Sequence, residues 1–246
     1  MLAIIQNYSG MLWAALGKTL LLTLLSLLFA MVIGMIFALM NVSKSRVLNC
    51  IGTVYVDAVR GVPLIVLAYF IYFGIPAGAQ MLGFSNFRFS ALQGGTIALA
   101  MNCGAYMAEI LRGGIISIDK GQFEGAYSIG MNHFQAMMSV VVPQTMRNIL
   151  PAISNEFVIN IKDTSVLNVI GVTELYFFTA KISKMTWAIF ETYVVACVIY
   201  FILTFTITRI LKYIERRIDG PSSYVIHHSS TMPDESFTVK EASGNE

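Results

Sequence analysis

An all-α chain that crosses a membrane five times is the architecture expected from this sequence. Of its 246 residues, 56% are hydrophobic and only 12% are charged. Soluble domains carry about twice that charge. Five apolar stretches are long enough to cross roughly 30 Å of hydrocarbon, which takes about 20 helical residues. Basic residues also collect on one set of the connecting segments, as they do on the cytoplasmic side of a membrane.

In order, residues 1–16 are mixed in character and lack the basic start of a signal peptide. A short amphipathic lead-in helix lying on the membrane surface is expected there. The spans are expected over residues 20–40, 53–73, 91–111, 149–170 and 186–211. The second begins with Asp57, Arg60 and Pro63, and a loop should follow it from Gly74 to Arg88. A second loop is expected over Glu174 to Lys184. Residues 17–217 form the membrane domain, and 218–246, rich in Ser, Glu and Thr near the end, are expected to be a disordered cytoplasmic tail.

Orientation follows from the cations. Eleven of the sixteen Lys and Arg residues, from Lys44 and Arg46 through Arg112, Lys120 and Arg147 to Arg216, Arg217 and Lys240, fall on one side. Only Lys18, Arg88, Lys181 and Lys184 fall on the other, and Lys162 lies within the fourth span. The N-terminus is therefore expected outside and the C-terminus inside. No internal repeat is evident, and five spans do not divide into two equal inverted halves, as many secondary transporters do.

Ionisable groups inside a span cost several kcal/mol unless they face protein or water. Asn102, Tyr106 and Glu109 in the third span are spaced i, i+4 and i+7 and share a face. The fourth span carries Asn155, Glu156, Asn160, Lys162 and Asp163. Two readings stand. Lys162 and Asp163 neutralise each other or their neighbours and hold the bundle together. Alternatively, Asn102, Asn155, Glu156, Asn160 and Asp163 line a path for a zwitterionic solute, which needs both a donor and an acceptor. Glu191, nearer an outer end, is a weaker candidate. Asp57, Arg60, Pro63, Glu109, Arg112 and Lys162 are given structural or gating roles, with Glu109 and Arg112 forming a local i, i+3 pair.

Several chemistries are excluded. Cys50, Cys103 and Cys197 show no ligand spacing and read as small apolar fillers. A formal charge of +2 does not suggest nucleic acid. Gly17-Lys18-Thr19 imitates a phosphate loop, but Leu12 stands where its first glycine belongs. Neither a nucleophile–base pairing, a metal cluster nor a cofactor site is evident. Driven transport would need a partner to supply energy.

Residues 119–143 meet that need. This polar island reads as two short helices. Asp119 with Gln122, and Asn132 with Gln135, have capping-box spacing. Gly130 suits the left-handed residue that ends the first helix, and Pro143 should close the second. Such an element can dock on another protein, with Gly125, Ala126 and Gly130 permitting close approach and Glu124 adding one charge. A partnerless interfacial hairpin, with Met137, Met138 and Val140 to Val142 on lipid, is the bland alternative.

The spacing resembles the EAA loop of ABC-importer permeases. Glu124, Gly125 and Ala126 are followed after three residues by Gly130, and after nine more by Val140, Val142 and Pro143. The family pattern there is Glu-Ala-Ala, Gly, then Ile, Leu and Pro. The stretches Val59–Leu64, Glu109–Ile115, Ser117–Gln122 and Lys162–Ser165 resemble the polar-amino-acid branch, of the histidine, glutamine and glutamate type. The likeness covers about residues 15–217.

Membership would imply half of a type I importer in a bacterial cytoplasmic membrane. A second permease, identical or different, would complete the path. Two ABC ATPase subunits would dock on the EAA loops, and an extracytoplasmic amino-acid-binding protein would deliver the substrate. Gly125 departs from the family's usual Ala, which lowers local helix propensity by about 1 kcal/mol. An ion-gradient carrier using Lys162 and Asp163, and a non-transporting membrane scaffold, remain as alternatives.

Overall fold

The computed structural model describes residues 1–219. The expected disordered tail lies almost wholly outside the described residues. Among these, every regular element is helical.

The chain opens on α1, a 41-residue helix over Leu2–Val42. At about 1.5 Å per residue it is roughly 60 Å long, twice the hydrocarbon thickness. The separate surface lead-in expected for residues 1–16 is not seen, because that part of α1 packs against protein. Ile4, Leu12 and Ala15 share a core cluster with Leu175, Ile182 and Val195. Thr19, Thr23 and Ser26 are buried in α1, and their hydroxyls return to carbonyls three or four residues back.

A second departure is at Pro63. The expected span over 53–73 is two elements, α2 (Arg46–Gly61) and a following helix that starts at Leu64. Val62 between them is extended, as the residue before a proline prefers. α2 is amphipathic and buries Gly52, Val56 and Val59. The next helix runs through α3 (Leu64–Tyr69), a π turn (Phe70–Gly74) and α4 (Ile75–Met81). Its last seven residues replace the start of the expected loop.

α5 spans Ala91–Ile116 and opens with a full capping box between Ser90 and Gln93. It is the central helix, packed by α1, α2, α3 and α8 (Val142–Asp163). Two glycines set its crossing with α1. A Cβ on Gly34 would lie 2.6 Å from the Met107 Cβ, and one on Gly104 would lie 2.8 Å from Ile33 Cγ2. Small residues let membrane helices approach this closely.

Beyond α5 come the short helices α6 (Lys120–Ser128) and α7 (His133–Ala136), and then α8. A 3₁₀ segment, Thr164–Ile170, ends at Gly171 with φ 82°. The chain bends there by 55° into α9 (Leu175–Thr186), a helix where a loop was expected. α10, Ile189–Asp219, is the last described element.

Among the described residues, three helical stretches are long and apolar enough to cross a membrane, Ile4–Val42, Leu64–Met81 and Ile189–Ile218. A fourth is counted if the bent pair around Gly171 is one span. α5 falls short on apolarity, with its glycines, Asn102, Glu109 and Arg112, although its 26 residues would reach across. A helix enclosed by other helices need not be apolar all round.

Candidate functional site

Residues 119–143 form the expected helix–turn–helix. Asp119 caps α6 by accepting from the Gly121 N–H at 2.6 Å. The expected reciprocal bond from Gln122 is not made. Its Oε1 instead accepts from Gln144 Nε2 at 3.1 Å, tying α6 to the start of α8. Gly130 has φ 85°. The Met131 N–H reaches the Ala126 carbonyl at 3.1 Å, the long-range bond of a Schellman turn. Asn132 and Gln135 complete the second capping box, at 2.9 Å in both directions.

Pro143 does not close the second helix. α7 runs through a π turn, Met137–Val141, directly into α8, with Pro143 in the first turn of α8. The Val142 N–H bonds back five residues to the Met137 carbonyl. Proline has no N–H to offer and its ring crowds the carbonyl four residues back, and local widening of the helix accommodates both. His133 to Asp163 is thus one uninterrupted helical path.

Glu124, Gly125 and Gly130 are exposed, whereas Ala126 is buried. Nothing lies within 4 Å of a Cβ built on Gly125. Exposed apolar side chains surround the turn, with Ile129 75% and Phe134 72% exposed. Sequence reasoning missed the Tyr127 hydroxyl, which hydrogen-bonds His133 Nδ1 at 2.9 Å and pins the two short helices together. The i, i+6 spacing across a glycine turn gave no periodic signal. At the other end, Asn148 Nδ2 donates to Ser117 Oγ at 3.2 Å, joining α8 to the C-terminus of α5.

The five residues assigned to the solute path divide between two faces of the bundle. Asn102, Glu156 and Asn160 are buried, and Asp163 is half-buried. Glu156, Asn160 and Asp163 are spaced i, i+4 and i+7, so they share one face of α8. Asn160 is 1% exposed, and its Nδ2 donates to Ser26 Oγ on α1 at 3.0 Å. Its Oδ1 is buried with no partner among the described residues. The Cys103 thiol lies beside Glu156, so this cysteine borders the polar face instead of merely filling space. Asn155 and Lys162 are exposed. Lys162 and Asp163 make no direct ion pair among the described residues, since neighbouring helical residues point about 100° apart, and Lys162 acts on Asp163 as a nearby charge.

A third cluster lies where α2 meets α5. Glu109 Oε1 accepts from Arg112 Nε at 3.2 Å, as expected. Arg60 is an additional partner, with Nη1 3.0 Å from Glu109 Oε2 and its guanidinium carbon 5.1 Å from the Tyr106 ring centre. Arg60 reaches them because the Val62–Pro63 break ends α2 just beyond it. Asp57 is exposed and takes no part in this cluster.

Glu174, expected only at the edge of a loop, is fully buried. It caps α9 by accepting from the Tyr176 and Phe177 N–H groups at 2.8 and 2.7 Å, and Tyr200 of α10 donates to it at 3.0 Å. Thr19 of α1 accepts from the adjacent Leu175 N–H at 3.1 Å. Glutamate is not among the preferred N-cap residues and no helix was expected here, so the sequence offered only an acidic charge of the sign that a helix N-terminus favours.

These features belong to a known class. The chain is a member of the family described as binding-protein-dependent transport system inner membrane components, whose model matches residues 30–220. It is 37% identical over 215 residues to the L-cystine transport system permease protein TcyB of Bacillus subtilis, covering 87% of this chain and 89% of that one. It is 33% identical over 202 residues to the probable glutamine ABC transporter permease protein GlnM of the same organism, covering 82% and 90%. Among solved structures, an amino acid ABC transporter crystallised with histidines superposes with a TM-score of 0.79 at 36% identity, covering 87% of this chain and 96% of that one. The MetNI methionine ABC transporter superposes with a TM-score of 0.71 at 18% identity, covering 86% and 98%, a likeness of fold.

Proposed function

We propose that the protein is the permease subunit of an ATP-driven importer for a polar amino acid, crossing a bacterial cytoplasmic membrane five times. α1, α3 with α4, α5, α8 with its 3₁₀ extension, and α10 are the spans. The basic side, which holds residues 119–143, faces the cytoplasm.

One observation supports this most directly. The exposed turn at Gly130 is joined to Glu156, Asn160 and Asp163 by one unbroken helical path from His133 to Asp163. A partner that moves the turn moves the polar face with it. Gln122 to Gln144 adds a second tie between α6 and α8. The partner we infer is an ATPase, with two such subunits serving two permeases. It docks on Glu124, Gly125, Ala126 and the exposed Ile129 and Phe134, while Pro143 holds the junction with α8.

The path runs along Glu156, Asn160 and Asp163, with Asn102 on the neighbouring α5. The carboxylates accept from an α-ammonium, and the amide groups donate to an α-carboxylate. Asn155 and Lys162 face away from this surface, and a charged side chain in lipid is costly. A second permease, identical or homologous, covers them. Arg60, Glu109 and Arg112 hold α2 against α5 at the inner mouth, with Pro63 setting the angle of α2. An extracytoplasmic amino-acid-binding protein delivers the substrate.

An ion-gradient carrier built on a Lys162–Asp163 pair finds no support in the outward position of Lys162. The test is co-purification with an ATP-hydrolysing subunit, which should be retained by the wild type and lost on replacing Glu124 and Gly130. Proton-driven uptake by the protein alone in liposomes would overturn the proposal. A scaffold would give neither uptake nor coupling to ATP hydrolysis.

A further inference from the structure

The last turns of α10 carry a feature that neither solute passage nor ATPase docking uses. Arg209, Lys212, Arg216 and Arg217 are all exposed there. At 100° per residue they fall within an arc of about 140° on one side of the helix. Phe205 and Tyr213 lie in the same arc. Of the acids in this segment, Glu215 falls about 60° outside the arc, by the same 100° per residue, and is half-buried, and Asp219 is the last residue of the helix. Apart from Asp219, whose side chain lies outside the described residues, no carboxylate among the described residues lies within ion-pair distance of the four cations.

Two of the three arginines are oriented. Arg209 places its guanidinium 4.8 Å from the Phe205 ring centre. Arg217 lies 5.2 Å from the Tyr213 ring and donates to the Tyr213 hydroxyl from Nη2 at 2.7 Å and from Nε at 3.1 Å. Arg209 and Arg217 are thus each folded back by one turn toward the apolar part of the helix. Depth follows from length. The 31 residues of α10 make a helix of roughly 46 Å against a hydrocarbon core of about 30 Å. With the apolar part in the core, the basic arc falls at the headgroup layer. Aromatic and basic side chains settle at that depth.

We infer that this arc is a binding surface for anionic phospholipid headgroups in the leaflet at the C-terminal end of α10. The inference rests on α10 being the last span. The occupant follows from charge complementarity at headgroup depth. The arginines donate to phosphodiester oxygens in the forked geometry that suits them, and Lys212 adds a point charge. Four cations close to an anionic surface raise its occupancy by on the order of a hundredfold or more.

The test uses the full chain purified in a neutral detergent, titrated with phosphatidylglycerol or phosphatidylcholine. Thermal unfolding is followed by Trp fluorescence, and bound lipids are counted by native mass spectrometry. Phosphatidylglycerol should raise Tm and remain bound, and phosphatidylcholine should do neither. The gain should shrink between 0.1 and 0.5 M salt through screening. A variant with Arg209→Gln, Lys212→Gln, Arg216→Gln and Arg217→Gln should lose it, whereas Lys181→Gln with Lys184→Gln should keep it. If the fourfold variant does not fold, Arg217→Gln alone should weaken phosphatidylglycerol retention. Equal stabilisation by both lipids, or unchanged retention in the arc variants, overturns the inference. Topology is read separately, by labelling a cysteine introduced beyond α10 from either side, so a wrong orientation is distinguishable from a wrong ligand.

Discussion

The helix–turn–helix at 119–143 and the polar face of α8 are joined end to end, yet they are specified in opposite ways. The element is held by bonds between near neighbours. Asp119 caps Gly121, Asn132 and Gln135 cap each other, Gly130 takes φ 85°, and Tyr127 reaches His133. The polar face is held by distant segments. Asn160 is fixed by Ser26, 134 residues earlier, and Glu156 lies beside Cys103 of α5. A local structure can stand exposed and wait for a partner. A buried polar face exists only while its neighbours enclose it.

Four substitutions can break or sharpen that contrast. Gly130→Val should be the most severe. A β-branched residue at positive φ costs about 1–2 kcal/mol, so docking of the ATPase should weaken on the order of tenfold and uptake should fall with it. Pull-down of the ATPase by the tagged permease is the measurement. Wild-type recovery would mean that the turn is not the docking element. Asp163→Asn should reduce uptake several-fold while the assembled complex is recovered in normal yield. Uptake kinetics equal to wild type would remove Asp163 from the path.

Gly125→Ala should act in the opposite direction. The added methyl meets nothing within 4 Å, and helix propensity improves by roughly 1 kcal/mol. ATPase affinity should rise a few-fold at most, read by titration of the purified complex. A loss of affinity would show that the ATPase packs directly onto the Gly125 backbone. Glu109→Gln should have the smallest effect, since both ion pairs are about one-third exposed and such pairs contribute about 0.2–1 kcal/mol. A Tm shift of more than a few degrees would make the cluster a structural keystone instead of a weak latch.

What could be read in advance follows the same divide. The caps at Asp119 and Asn132 and the glycine turn were legible because their partners lie within a few residues. The Glu109–Arg112 pair was legible for the same reason, and Arg60 was not, because its approach depends on where the Pro63 break aims α2. The packing of residues 1–16 against α9 and α10 was also hidden. Apolar residues at Ile4, Leu12 and Ala15 look alike whether lipid or protein covers them. Pro143 misled because proline usually stops a helix, and only the adjoining π turn shows how the helix continues. Glu174 was overlooked because its hydroxyl donor, Tyr200, comes 26 residues later.

The π turn at Met137–Val141 also bears on how the gene can change. A π turn fits one residue more into a helix than α geometry would need. The stretch between the Gly130 turn and Glu156 therefore carries one surplus position. Deleting a single residue from Met137–Val141 would relax the widened turn to α and keep the rotational register of Glu156, Asn160 and Asp163, so any added kink should come from the Pro143 ring that the widening now accommodates. The same deletion at Phe157 would rotate Asn160 and Asp163 by about 100° away from Ser26 and the bundle interior. Aligned relatives of different length should place their gaps at the π turn.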